Sequence, residues 1–143
     1  MRFQVIATVL ITCCLSILGW VITPSADALT QIQLTDLSYT HCSEEMSEGL
    51  VTPGGSTEAS CFLIVGKAVN KSGKPVLNAD IYGFIYDAND DPVMQNRGRV
   101  GSIDEVPPGI SDFEIRISVP ANQPTPLKLE RFKASGFTGR VRR

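Results

Sequence analysis

Beyond residue 28 the chain alternates between hydrophobic and polar positions, in runs that end at turn residues. A period of two is the pattern of half-buried β-strands, because successive side chains of a strand point to opposite faces of a sheet. The clearest run is 112–119, where every odd position is hydrophobic and every even position is polar. The pattern predicts strands over 31–39, 61–70, 76–87, 112–119 and 127–137, with a weaker strand over 93–100.

Two of these runs contain a change of phase. Within 31–39 the hydrophobic positions change from even to odd between Leu34 and Leu37, which predicts a β-bulge near Asp36. In the last run Phe132 lies on a shifted register relative to the leucines that precede it. The pattern therefore predicts strands that bend without ending.

The fold class follows from the number and length of the predicted strands. No stretch beyond residue 28 shows a convincing 3.6-residue hydrophobic period, so the prediction is an all-β fold. Six or seven antiparallel strands in about 115 residues are typical of an immunoglobulin-like sandwich. We expect a single immunoglobulin-like antiparallel β-sandwich over 29–138, preceded by an N-terminal signal helix over 1–28 and followed by a basic C-terminal tail over 139–143.

The first 28 residues have the pattern of an export signal. Arg2 precedes a hydrophobic run over 5–22, which Pro24 and the small residues Ala26 and Ala28 follow. A signal peptidase requires small side chains at these last two positions, so we expect cleavage after Ala28. The cleaved protein would then begin at Leu29.

Two alternatives for this segment stay open. A run of this length is just sufficient for a tilted membrane span, so the segment would also serve as an uncleaved anchor. Cys13 lies in a loose lipobox-like context, which is the pattern of a lipid attachment site. Each alternative places the rest of the chain outside the cytoplasm, in a periplasm, in a thylakoid lumen or outside the cell.

Two cysteines, Cys42 and Cys61, lie beyond the signal segment. In an exported chain, one pair of cysteines most economically forms a disulfide. The bond would stabilise a polar segment, 43–60, that has little hydrophobic content of its own. The alternative is a metal site formed by His41, Cys42 and Cys61, but the sequence offers no evident fourth ligand.

Composition and motifs argue against most chemistry. The chain has 143 residues, a net charge of −2, and 43% hydrophobic residues, which excludes a multidomain enzyme and a strongly basic nucleic-acid binder. Its single histidine, His41, excludes any site that needs two, and no serine lies in a G-x-S-x-G context. A small hydrolase that uses His41 is the catalytic alternative. We expect no enzyme activity, no catalytic or metal-binding residues and no cofactor.

The stretch from Asp87 to Asp91 has the first ligand spacings of a calcium loop. Pro92 stands where an EF-hand needs glycine, and Gly98 stands where it needs glutamate, so an EF-hand is excluded. A surface calcium site and a hydrated hairpin turn both stay open. In the second reading, Asp87 accepts hydrogen bonds from backbone amides of the turn.

The predicted strand over 76–87 has two unlike faces. One carries Leu77, Ala79, Ile81, Gly83 and Ile85, and the other carries Asn78, Asp80, Tyr82, Phe84 and Tyr86. Because asparagine and aspartate are poor core residues, the second face is the wetter one. Exposed aromatic residues often mark partner surfaces, so Tyr82, Phe84 and Tyr86 are the candidate partner-binding residues. The alternative is that another strand or the 43–60 segment covers them.

Several short motifs resemble one family. Gly66-x-Ala68-x-Asn70, then Ile85-Tyr86-Asp87, then Pro108-Gly109 with Phe113 four residues later, are similar to the FxLYD-type β-sandwich domains of exported bacterial proteins. The likeness covers 62–119, although Gly83 stands where the family name has phenylalanine and Ile85 replaces leucine.

The resemblance implies a non-enzymatic accessory or binding module. We therefore predict an exported, non-catalytic module that binds a protein partner or assists assembly. The alternative is a membrane-tethered structural subunit of a larger complex that keeps its N-terminal segment.

Overall fold

The computed structural model describes residues 29–52, 55–94 and 98–139. The predicted signal helix, its alternative as an anchor, and most of the predicted basic tail lie outside these residues. The described part confirms an all-β fold with a single short helix. Its elements are β1 (Thr30–His41), α1 (Glu44–Ser47), β2 (Ala59–Asn70), β3 (Val76–Tyr86), β4 (Arg99–Val106), β5 (Gly109–Pro120) and β6 (Lys128–Phe137).

The six strands of the described part form one antiparallel sheet in the order β4-β3-β6-β1-β2-β5. Strand β1 joins the two halves of the sheet. Its first residues, Thr30 to Ile32, pair with β6, and its remainder from Gln33 to His41 pairs with β2. Hydrogen bonding therefore continues across the sheet through a single strand.

Strand β1 contains the predicted bulge. Its register with β2 shifts between Thr35 and Ser38, and Asp36 adopts a positive φ of 52°. Aspartate tolerates this left-handed conformation better than most residues, because its short polar side chain can bond locally. The bulge moves Leu37 and Tyr39 to the face that packs against the core.

The two ends of the sheet lie against each other. A Cβ atom placed on Gly101 of β4 would lie 3.2 Å from Cδ1 of Ile115 on β5. The connection between these strands is the Pro107-Pro108 corner, and Gly109 has a φ of 94°, which favours glycine. The sheet therefore curls so that its two edge strands, β4 and β5, come into contact.

The core lies inside this curled sheet and draws on all six strands. Hydrocarbon side chains removed from water supply most of the driving force for such a fold. The buried strand residues of the core cluster are Ile32, Phe62, Ile64, Ala68, Val76, Ala79, Ile81, Ile85, Val100, Val106, Phe113, Ile115, Ile117, Val119 and Ala134. The four odd positions of the 112–119 run are all among them, as the alternation predicts.

Two details of the strand prediction are wrong. The weaker strand predicted over 93–100 lies instead at Arg99–Val106, so Asp104 and Glu105 belong to a strand. Strand β4 is at an edge of the sheet, and its acidic and small residues weaken the alternation that marks a strand. Val93 is buried, but outside the named strands, where its amide donates to Ile85 at 2.9 Å.

The second error concerns the start of β3. Val76 and Ala79 are fully buried, whereas Leu77, predicted on the core face, is only half-buried. Asn78 adopts a positive φ of 48°, and the register with β6 shifts between Leu77 and Asp80. This irregularity changes the phase of the alternation. From Ala79 onward the predicted faces are confirmed.

Gly83 of β3 lies directly against the ring of Phe132 on β6. A Cβ atom at Gly83 would lie 2.6 Å from Cε2 of Phe132, a distance too short for two non-bonded carbon atoms. Arg131 adopts a positive φ of 54° beside it, and the β3–β6 register shifts between Tyr82 and Phe84. The shifted register predicted for Phe132 is therefore confirmed, and it turns this ring towards the core, over Gly83.

We expect Gly83→Ala to destabilise the protein by about 1–3 kcal/mol, because the added methyl group must displace the Phe132 ring or the strand. Chemical denaturation followed by circular dichroism measures the change. Gly98→Ala is the matched control, since a Cβ there would lie 3.9 Å from Tyr82 Cδ1, an ordinary contact. Equal stabilities for the two variants would contradict the close approach at Gly83.

Candidate partner-binding face

Three aromatic side chains follow one another on the outer face of β3. We call Tyr82, Phe84 and Tyr86 the aromatic strip. Tyr82 is 38% exposed and Phe84 is 48% exposed, while Tyr86 is half-buried. The rings of Phe84 and Tyr86 lie 6.4 Å apart with an interplanar angle of 26°, in a stacked arrangement. Within the described part of the chain, neither another strand nor the 43–60 segment removes Tyr82 and Phe84 from solvent.

Strand geometry explains this exposure. Ile81, Gly83 and Ile85 point into the core and are buried, so the residues between them must point outward. Moving the strip inward would need a one-residue slip that exposes both isoleucines. The burial of the inner face therefore fixes the outward position of the three rings.

Charged residues on the neighbouring strands border the aromatic strip. On β6, Lys133 lies opposite Tyr82, Glu130 opposite Phe84 and Lys128 opposite Tyr86, while Arg99 of β4 lies opposite Tyr82 from the other side. Alternation along the chain does not place these four residues beside the strip. They lie beside the strip because of how β3 pairs with β6 and β4. This pairing joins residues that are far apart in the sequence, so hydrophobic alternation does not predict it.

Two of these charges are paired on the surface. The guanidinium of Arg99 lies 2.7 Å from Oδ1 of Asp80, and Nζ of Lys128 lies 2.5 Å from Oδ1 of Asp90. Exposed ion pairs of this kind contribute little to stability. They do surround an apolar centre with a polar border, which is the arrangement found at many protein–protein interfaces.

The predicted disulfide is present between Cys42 and Cys61, with a Cα–Cα distance of 5.4 Å. It joins the end of β1 to the start of β2, where the Cys42 amide also donates to the Cys61 carbonyl at 3.1 Å. The bond closes the segment that contains α1. A disulfide indicates an oxidising compartment, because such bonds form and persist there.

The alternative metal site at these residues does not fit the geometry. Both thiols are used in the disulfide, and the ring of His41 lies against Phe62 with 4.5 Å between centroids. No group of three His, Cys, Asp or Glu side chains suited to a metal ion occurs within 29–52, 55–94 and 98–139.

Asp87 occupies a structural position at the end of β3. Its carboxylate is buried and accepts hydrogen bonds from the amides of Asn89 and Asp91 at 2.8 and 3.0 Å. Its second oxygen accepts from Nε2 of Gln123 at 3.1 Å. These bonds occupy the carboxylate within the turn, as the hairpin reading of this stretch predicts.

A second charged cluster lies at the β1 bulge. Nζ of Lys67 donates to Oδ1 of Asp112 at 2.9 Å, beside an open depression that Asp36 and Phe113 also line. The hydrogen bond and the negative charge of Asp112 raise the pKa of Lys67 above its usual value. Both side chains are largely exposed, so the pair has little effect on stability.

Comparisons of the chain with protein-family models, with curated proteins and with solved structures found no match. The similarity to FxLYD-type domains is therefore untested and stays a prediction. Among the residues that the structure describes, no helix has both the length and the hydrophobicity of a membrane span.

We expect Asp87→Ala to destabilise the protein by about 1–3 kcal/mol, because the backbone amides of Asn89 and Asp91 and the side-chain amide of Gln123 lose their acceptor. Asp91→Ala is the control. The Asp91 side chain is exposed, so its loss should change the unfolding free energy by no more than about 0.5 kcal/mol. Thermal unfolding with and without calcium measures both effects. Strong stabilisation by calcium that only Asp87→Ala removes would instead assign Asp87 to a metal site.

Proposed function

We propose that the protein is an exported, non-catalytic β-sandwich module that binds a protein partner through the aromatic strip. The exposure of Tyr82 and Phe84 on a strand whose other face forms the core is the observation that carries this proposal. Aromatic rings bury much apolar area at small entropic cost, which makes them common anchors of interfaces.

The sandwich is a finer description of the curled sheet. In this proposal β4, β3, β6 and the start of β1 form one layer, and the rest of β1 with β2 and β5 forms the other. The contact between Gly101 and Ile115 supports it, because these residues belong to opposite ends of the strand order. The immunoglobulin-like and FxLYD-type assignments are part of the same proposal.

Binding fits the described residues better than catalysis does. The single histidine, His41, packs on Phe62, and the two cysteines beyond residue 28 are bonded to each other. The buried carboxylate of Asp87 is occupied by the turn it caps. The histidine, the two cysteines and the buried carboxylate are thus engaged in structural contacts.

The partner should offer an apolar patch with a polar border of both charges. The strip would contact the apolar patch, while Lys133, Arg99 and Glu130 would meet polar groups around it. Pairs of opposite charge at such a border favour the correct partner more than they add affinity. This chemistry describes a folded protein surface or an amphipathic segment.

The test replaces the strip by serine, in the variant Tyr82→Ser/Phe84→Ser/Tyr86→Ser. This variant serves as bait on the extracytoplasmic fraction of the host. The amount of partner that it recovers should be at least about tenfold lower than the amount that the unchanged protein recovers, since interface aromatics are frequent hot spots. Quantitative mass spectrometry measures the recovery.

The matched control is Met46→Ser/Val51→Ser, which removes exposed hydrophobic side chains from the 43–60 segment. This control should retain the partner, and both variants should keep the circular dichroism spectrum of the unchanged protein. Equal recovery of every bound protein by the strip variant and the unchanged bait would refute the proposal.

Export is supported by the disulfide and by the sequence pattern of the first 28 residues. We expect intact-mass measurement of the protein from its host to give residues 29–143, with Cys42 and Cys61 oxidised. The mass of residues 1–143 would favour the alternative, a membrane-tethered structural subunit. Free thiols at both cysteines would contradict the oxidising compartment itself.

A further inference from the structure

Strand β5 is a long, regular strand at one edge of the sheet. It pairs with β2 over its whole length, from Gly109 opposite Asn70 to Pro120 opposite Ala59, without a register shift. The other edge strand, β4, is shorter, with 8 residues against 12 in β5, and its pairing is interrupted by a shift. Edge strands of monomeric proteins are usually short, bulged, covered or charged, because a regular edge is a template for further pairing, so the arrangement of the charges on β5 decides what can pair with it.

The hydrogen bonds of β2 show which groups of β5 face outward. The Cys61 carbonyl accepts from Cys42 and so points towards β1, which directs the next residue of β2, Phe62, towards β5. Because Ile117 lies opposite Phe62, the backbone groups of Ile117 and of all the odd-numbered residues of β5 point towards β2. The backbone groups of the even residues point to the open edge, namely those of Ile110, Asp112, Glu114, Arg116 and Ser118.

Within the described part, no strand pairs with this edge. The segment that precedes β2 ends on the β1 side of β2, because the Ala59 amide donates to the Leu50 carbonyl. On the β5 side of β2, by contrast, the Ala121 amide donates to the Glu58 carbonyl. Pro120, which also lies on the open side, has no amide hydrogen to leave unpaired. The edge therefore presents a row of amides and carbonyls to solvent.

The charge pattern along the edge is complementary to the same pattern in an antiparallel copy of the strand. Asp112 is bonded to Lys67 of β2, whereas Glu114 and Arg116 are exposed and form no salt bridge with the other described residues. Glu114 and Arg116 are the two positions next to Ile115. In an antiparallel pair of β5 strands with a twofold axis at Ile115, each Glu114 therefore lies opposite Arg116 of the second copy.

We infer that β5 is a dimerisation edge, where a second copy of this chain adds its own β5 antiparallel with the twofold axis at Ile115. The even residues of both strands then form the hydrogen-bonded pairs. Each Glu114 faces an Arg116, each Asp112 faces Ser118, and each Ile110, which is 70% exposed, faces the apolar ring of Pro120. Two sheets thereby join into one.

Neighbouring registers are less favourable for electrostatic reasons. An axis at Glu114 pairs each Asp112 with an Arg116 but places the two glutamates opposite each other. An axis at Arg116 places the two arginines opposite each other and leaves each Glu114 opposite Ser118. An axis at Phe113 places Asp112 opposite Glu114. Like charges directly opposite each other destabilise a strand pair, so the charge pattern selects the axis at Ile115.

The test exchanges the charges of this pair. Sedimentation equilibrium of the protein as isolated from its host, up to about 1 mM, should show a reversible dimer, as expected for an edge contact of modest area. Glu114→Arg and Arg116→Glu should each weaken dimerisation by at least about tenfold, because each places like charges opposite each other twice. The double variant Glu114→Arg/Arg116→Glu should restore it.

The two single variants provide a sharper measurement. The Glu114→Arg chain has arginine at positions 114 and 116, and the Arg116→Glu chain has glutamate at both. Because the two chains are complementary, an equimolar mixture should form a heterodimer more readily than either variant forms a homodimer. Native mass spectrometry distinguishes the two chains by mass. Glu105→Arg, at the exposed end of β4, is the control and should leave the dimer unchanged.

Three outcomes would overturn the inference. The first is a protein that stays monomeric throughout this range. The second is a dimer that the charge exchanges do not alter, which would place the contact on another surface. The third is a monomer whose amides at Asp112, Glu114 and Arg116 are protected from hydrogen exchange, which would show that another segment of this chain covers the edge.

Discussion

The fold depends on one strand that takes part in two pairings. Strand β1 bonds to β6 through Thr30–Ile32 and to β2 through the rest of its length, and the bulge at Asp36 changes which of its side chains face the core. Without this change of partner, β4-β3-β6 and β1-β2-β5 would be two separate antiparallel sheets, joined only by the packing of their hydrophobic faces. The shared core and the contact of Ile115 with Gly101 hold the opposite ends of the continuous sheet together.

The two candidate surfaces have a common origin in this arrangement. A curled sheet with a buried interior directs alternate side chains of each strand outward, and it leaves two edges. In β3 the outward residues are aromatic, which gives an apolar strip with a charged border. In β5 they are charged and the edge itself is regular. One surface therefore offers side chains to a partner, while the other offers main-chain hydrogen bonds.

Local patterns in the sequence predicted the elements that the core fixes. The run from Asp112 to Val119 alternates strictly because its inner face is fully buried, and the bulge at Asp36 is visible because it reverses that alternation. The pairing of Cys42 with Cys61 followed from the export pattern, which leaves two cysteines beyond residue 28. The pattern misplaces β4 because glycine, serine and two adjacent acidic residues interrupt its alternation, and it assigns Leu77 to the wrong face because nothing local marks the positive φ of Asn78. The neighbours of the aromatic strip depend on which strands meet, and that information is not local.

Strand β1 begins at Thr30, and Thr30 is already paired with Gly136. Only Leu29 separates this first paired residue from Ala28, so cleavage there would leave a single residue in front of the sheet. If the preceding segment is retained as an anchor, residues 23–29 are the whole connection between its hydrophobic run and the sheet. A tethered protein would then keep its aromatic strip within a limited distance of the lipid, whereas a cleaved one would diffuse freely and meet partners from any direction.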